Sequence, residues 1–242
     1  MAAVPRDLEA GGTARAVEIV DGDTLRLDDG REVRLVGLQA PKLPLGRPDF
    51  PTWPLAPEAK AALAELALDE RLHLFYGGAR MDRYGRVLAH LVRGDGEWVQ
   101  GAMLARGLAR TYSFADNRAL VPELLERERA ARAARRGIWA LDWYRIRKPR
   151  ETEADIDSYQ LVEGRVLAVA EQRSNSYLNF GADWRTDFTL VADSRARRLC
   201  AAEGLDLPTL EGRRLRARGW IESFNGPMIE ITHPEQIEVL EP

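Results

Sequence analysis

A chain of 242 residues with 45% hydrophobic and 30% charged side chains has the composition of an ordinary globular protein, long enough for one large or two small domains. No run approaches the roughly 18 to 20 apolar residues of a membrane-crossing helix, and the single Cys200 excludes an intramolecular disulfide or a cysteine-rich zinc site. A net charge of −3 excludes a uniformly basic coat. Residues 1–150 carry 25 basic against 21 acidic side chains while residues 151–242 carry 10 against 17, so affinity for phosphate is expected from the first part alone.

In chain order, residues 1–13 show no basic region followed by an apolar run, so no secretory signal is visible in them, and they are expected as a disordered leader. The stretch VDGDTLRLDDGREVRLVGLQAP, residues 20–41, then reads as a hairpin: Leu25 and Leu27 alternate with Arg26, Asp28-Asp29-Gly30 supplies the turn, and Val33 and Leu35 mark the returning strand. Asp21 and Asp23 flank Gly22 at its entrance, and Arg34 returns beside them. Carboxylates next to a guanidinium suit metal and phosphate together, whereas Asp-Gly by itself is first a turn signal.

Six of the thirteen prolines fall between residues 41 and 57 and predict a stiff loop. Pro57 and Glu58 then suit a helix start, and Ala61, Leu63, Leu66 and Ala67 give an apolar stripe to about Asp69. RLHLFYGG and GRVLAHLVRG read as strands around a turn at Asp82–Gly85, followed by helices near 99–106 and 118–136, the second with an arginine-rich face expected in solvent. His73, His90 and His233 are far apart and lack ligand spacing.

VDGDTLRL, RLVGLQAP, DRYGRVLA and GLARTY, in this order and at these separations, resemble the staphylococcal nuclease (thermonuclease) family over residues 14–141. The resemblance implies an OB-fold barrel with three helices. It also implies phosphodiester hydrolysis with a calcium ion, two arginines and a glutamate. By motif, Asp23 matches a calcium ligand, with Asp21 a weaker one; Arg34 and Arg86 match the phosphate-binding arginines, Arg83 a terminal-phosphate contact and Tyr84 a nucleotide-pocket tyrosine. Tyr112 and Phe114 lie one residue out of register with the other pocket aromatics.

The chain departs from the family pattern after the return strand, where Gln39, Ala40, Pro41 and Lys42 replace an acidic calcium ligand, Ala or Thr, Pro and the catalytic Glu. Gln39 still offers an amide oxygen and Ala40 a carbonyl, so a weakened calcium site is expected. A protonated Lys42 is no general base; Asp49 and Glu58 are the nearest substitutes. Three readings follow: a divergent phosphodiesterase, an inactive homologue that binds single-stranded DNA or RNA with Lys42 supplying charge, and an interaction protein docking through the proline-rich loop or the C-terminal part.

The charged stretch 142–158 reads as a linker. Residues 159–242 then show five strand-like runs with a helix near Ser194–Ala202 between the third and fourth, the order of a second, five-stranded OB-like barrel. The whole is mainly β with helices (α+β). Tyr177, Phe180, Trp184 and Arg185 read either as a base-stacking platform or as core.

Overall fold

In the computed structural model, which describes residues 8–240, the chain divides between Tyr144 and Arg145 into two units. The first is built on β1 (Glu9–Asp21), β2 (Thr24–Leu27), β3 (Glu32–Leu35), β4 (Gly37–Gln39), α1 (Ala56–Ala67), β5 (Arg71–Tyr76), β6 (Val87–Arg93), α2 (Val99–Ala105), β7 (Arg110–Tyr112) and α3 (Val121–Ala133). β1, β2, β3, β6 and β5 close a barrel in that order, with β3 and β6 parallel and the other pairs antiparallel. Alternation sends Leu25, Leu27, Val33, Leu35, Leu72 and Leu74 inward. On β1 the buried positions run Ala14, Ala16, Ile19, and the change of parity falls at an irregular register between Ala16 and Glu18. α1 closes the barrel with Leu63 and Leu66, and α2 adds Met103 and Leu104.

Two expectations change here. Residues 9–13, read as disordered leader, are β1, paired to β5 through Glu9–Tyr76 and Thr13–His73; residues 1–7 lie outside the described residues. The predicted hairpin is three strands, because β1 reverses at Gly22 before β2 and β3 turn at Asp28–Gly30, where Gly30 takes a φ of 86°.

The second unit contains β8 (Ser158–Arg165), β9 (Ala168–Glu171), β10 (Asn175–Asn179), β11 (Thr189–Asp193), α4 (Ser194–Ala202), β12 (Arg214–Ser223), β13 (Pro227–Ile231) and β14 (Ile237–Val239). It has seven strands rather than the expected five. The first run breaks after Arg165 into β8 and β9, and the last breaks at the turn Pro234–Gln236 into β13 and β14. β9 pairs β10, β10 pairs β11, β11 runs parallel to β13, β13 pairs β12, and β12 pairs β8. Counting β8 and β9 as one bent strand, this is the connectivity of the first barrel, with α4 in the place of α1. Asp193 caps α4 through the N–H groups of Arg195 and Ala196, and Cys200 on that helix is buried.

The stretch 142–158, expected as a linker, is folded into both units. Asp142–Tyr144 forms a short 3-10 turn ending the first, whereas Arg147 extends the second sheet by bonding Leu161 and Glu163 through its backbone, and Pro149–Asp155 coils beside β8. Its charges are used locally: Arg147 bonds Asp155 and Arg145 bonds Glu151. Among the described residues no helix is long and apolar enough to cross a membrane.

His90 on β6 is 1% exposed beside Trp98, and burial pushes its imidazole down to about 4. The folded state thus keeps His90 neutral while the unfolded chain takes up a proton below about 6.5. Stability is whole above that value and falls as pH drops toward 4, by about 3 kcal/mol from this group. Urea midpoints at pH 7.5 and 4.5 should therefore separate less in His90→Gln than in the wild type; equal separations would refute the assignment.

Candidate functional site

The turn from β1 to β2 carries Asp21, Gly22 and Asp23 beneath the start of α1. A Cβ on Gly22 would lie 2.7 Å from the Ala40 Cβ and 2.8 Å from the Ala59 Cβ, so the motif needs glycine for close packing. Asp21 accepts the Asp23 N–H at 3.0 Å, and Asp23 in turn holds β3 by accepting the Leu35 N–H on its carbonyl at 2.8 Å.

The Asp23 carboxylate is fully buried and saturated. Oδ1 accepts Arg34 Nη1 at 2.6 Å and Lys42 Nζ at 2.7 Å, and Oδ2 accepts Lys42 Nζ at 2.6 Å and the Ala40 N–H at 2.9 Å. Thr24 adds its hydroxyl to Oδ1 at 3.2 Å, and Lys42 also reaches Asp21 Oδ2 at 3.4 Å. Burial alone would raise the Asp23 carboxyl, but the Arg34 guanidinium and then the Lys42 ammonium outweigh it and hold the group well below the ordinary carboxylate range. Asp21 goes the other way: burial and the neighbouring Asp23 charge raise it, against the pull of Lys42. The site is one buried anion gripped by two cations, with a second carboxylate at its edge.

Arg34 turns part of its guanidinium to the Leu38 carbonyl at 3.3 Å and lies 5.9 Å from the Tyr112 ring, against which Phe114 packs edge-on. Arg83, Tyr84 and Arg86 form a separate cluster on the turn into β6. Arg86 pairs with Asp82 at 2.6 Å, and the guanidinium groups of Arg83 and Arg86 sit 4.9 and 5.4 Å from the Tyr84 ring, itself 69% exposed. Arg34 is the parallel partner of Leu88, and Arg86 stands two residues before Leu88, just ahead of β6.

The family described as staphylococcal nuclease homologue matches residues 32–141. Protein ParB of Escherichia coli is 32% identical over 141 residues, covering 51% of this chain and 70% of that protein. The chain belongs to the staphylococcal nuclease homologue family. The thermonuclease of Staphylococcus intermedius is 29% identical over 124 residues, 50% of this chain and 72% of that protein. A protein of Oryza sativa subsp. japonica named probable staphylococcal-like nuclease CAN1 is 34% identical over 123 residues, 51% of this chain but only 32% of its own length. The family match ends at residue 141, within the first unit.

The calcium that membership in this family implies does not fit the residues present. A hard divalent ion takes six to eight oxygen ligands, whereas here an ammonium already lies against both Asp23 oxygens. Gln39, expected to offer its amide oxygen, gives it instead to Arg110, whose Nε and Nη2 donate at 3.0 and 2.8 Å. Ala40 meets Asp23 through its N–H. Among the described residues no group of three or more His, Cys, Asp or Glu side chains converges. Lys42, expected from the motif at the general-base position, is a donor to Asp23.

Sequence reading missed what fixes this arrangement. Arg110, 4% exposed on β7, meets Gln39 because β4 and β7 pair in the register Gln39–Arg110. Glu128, not singled out from the sequence, is fully buried and accepts the Thr111 N–H at 2.6 Å and Arg132 at 2.9 Å, fastening α3 to the same strand. The proline-rich loop is clasped: Trp53 lies 5.1 Å from Trp143, which packs edge-on to Tyr144, and the Tyr144 hydroxyl donates to the Pro54 carbonyl at 2.7 Å. The Trp53 N–H in turn donates to the Lys42 carbonyl at 2.9 Å, tying the loop's aromatic anchor to the lysine in the site. Asp49 and Glu58, the substitute bases, are exposed on the loop and the first turn of α1.

Proposed function

We propose that the first unit binds the phosphodiester backbone of single-stranded nucleic acid without a divalent ion, Lys42 standing where the family's metal would add positive charge. The observation that carries this reading is the Lys42 ammonium within 2.7 Å of both Asp23 oxygens. Arg34 keeps donors beyond its bond to Asp23, and Arg86, just ahead of the strand beside Arg34, keeps donors beyond its pair with Asp82, so the two offer N–H groups to phosphate oxygens. Tyr84, flanked by Arg83 and Arg86 and open to solvent, offers a stacking face to a base. Asp23 acts as a positioning residue, holding both cations in place through a carboxylate that stays ionised.

Hydrolysis is the second reading, favoured by the nuclease names of the relatives. It requires a carboxylate to activate water, a role for which Asp49 or Glu58 would have to move to the cleft.

The deciding measurement is fluorescence anisotropy of labelled single-stranded DNA and RNA at several salt concentrations, with chelator or with calcium, beside gel assay for cleavage. Equal affinity with and without chelator, weakening with salt, is expected, and Arg34→Ala should lose about tenfold or more. A strict calcium requirement, or calcium-dependent cleavage abolished in Arg34→Ala, would replace this reading by the hydrolytic one.

A further inference from the structure

We propose that the second unit carries a pocket for one unpaired nucleobase, on the outward face of its sheet between the β10–β11 loop and the β12–β13 turn. The proposal rests on the reading that this chain engages nucleic acid. It concerns a different unit, however, and a different part of the ligand.

Strand alternation builds the floor. Leu178, Leu190 and Ile229 face the core, while their neighbours face outward, and the registers set Tyr177 beside both Ala170 and Val191, and Thr189 beside Asn179 and Met228. An outward sheet face is ordinarily polar; here Ala170, Val191 and Met228 line the pocket with Tyr177. Two more rings rise from the loops above, Trp184 at 52% and Phe224 at 65% exposure. Phe180, grouped with them from sequence, is instead in the core against Phe188. Together these residues enclose a cavity of about 370 Å³.

The chemistry of the lining selects the ligand. Three rings supply flat apolar faces, the amides of Gln172, Asn179 and Asn225 supply donors and acceptors, and no lining residue is charged. A heterocyclic base offers the matching surface, with faces that stack and an edge that pairs with amides. A peptide side chain would use the rings and leave the amides unmet. The acidic balance of residues 151–242, 10 basic against 17 acidic side chains, opposes a phosphate chain running through the cavity. The base enters as a neutral ring with its phosphates outside; at the rim the Arg185 guanidinium lies 4.4 Å from the Trp184 ring and Arg197 donates to the Gln172 carbonyl at 3.4 Å.

The test uses the full chain and the four nucleosides adenosine, guanosine, cytidine and uridine, which carry no phosphate, followed by saturation-transfer NMR and titration. At least one should show transfer to its ring protons, and Trp184→Ala and Phe224→Ala should each weaken binding by about tenfold or more. Both side chains are exposed, so unfolding midpoints should stay at the wild-type value and exclude misfolding. Arg34→Ala should bind nucleosides normally, so loss of oligonucleotide binding at the first unit and loss of nucleoside binding at the second are read separately. No nucleoside signal, a signal that survives both ring substitutions, or capture of an apolar peptide in place of nucleosides would overturn the assignment.

Discussion

Lys42→Met is expected to destabilise the first unit by about 3 kcal/mol and to make its melting temperature respond to calcium. The substitution keeps most of the apolar stem and removes the ammonium that contacts both Asp23 oxygens and reaches Asp21. Arg34 then remains as the one cation bonded to a fully buried carboxylate, with a second buried carboxylate beside it, and breaking a buried charge pair costs about 3 to 5 kcal/mol. Millimolar calcium should recover part of that loss by binding only the folded variant, while leaving the wild type unmoved because its lysine occupies the position. Thermal unfolding of both proteins with and without calcium reads this directly. Equal midpoints and no calcium response would show that the ammonium contributes nothing as a resident cation.

Glu238→Ala should have a comparable effect on the second unit, about 3 kcal/mol or more. Arg218, 1% exposed on β12, donates to Glu238 at 2.5 Å, while Arg216 lies between Glu238 and Glu163, and Glu163 also takes Arg214. The register explains the meeting, since Arg216 pairs with Glu163 on β8 and with Glu238 on β14. Removing the carboxylate takes a charged partner from a buried guanidinium and loosens β14. Denaturant titration of Glu238→Ala, Arg218→Met and the double variant forms the check: the double should recover part of the loss, because it also removes the guanidinium that Glu238→Ala deprives of its carboxylate. Simple additivity of the two losses would deny the coupling.

What could be read from sequence was local. The α1 stripe, the strands around Asp82–Gly85 and the turn at Asp28–Gly30 follow from periodicity and turn chemistry, and both matching strands lie where alternation placed them. Asp23 and Arg34 meet because Thr24 pairs with Arg34, a consequence of that same turn. The failures required distant partners. Gln39 turns from the cleft because of an arginine 71 positions later, and Glu128 is buried because a strand N–H and Arg132 claim both its oxygens. Composition misled at residues 142–158, where a charged stretch reads as solvent but its charges pair with one another against β8. The strand count failed for a smaller reason: bends after Arg165 and at Pro234 interrupt runs whose apolar pattern continues through them.

The clasp on the proline-rich loop sets a schedule as well as a geometry. Pro54 is held by Tyr144, ninety positions later in the chain. During synthesis, the loop and its hold on Lys42 cannot settle until nearly the whole unit has left the ribosome. A chain ending at residue 141, where family similarity stops, would carry every matched motif and lack the latch. It would hold the loop without the Trp143 and Tyr144 contacts, so the form of this site that keeps the clasp extends at least to Tyr144.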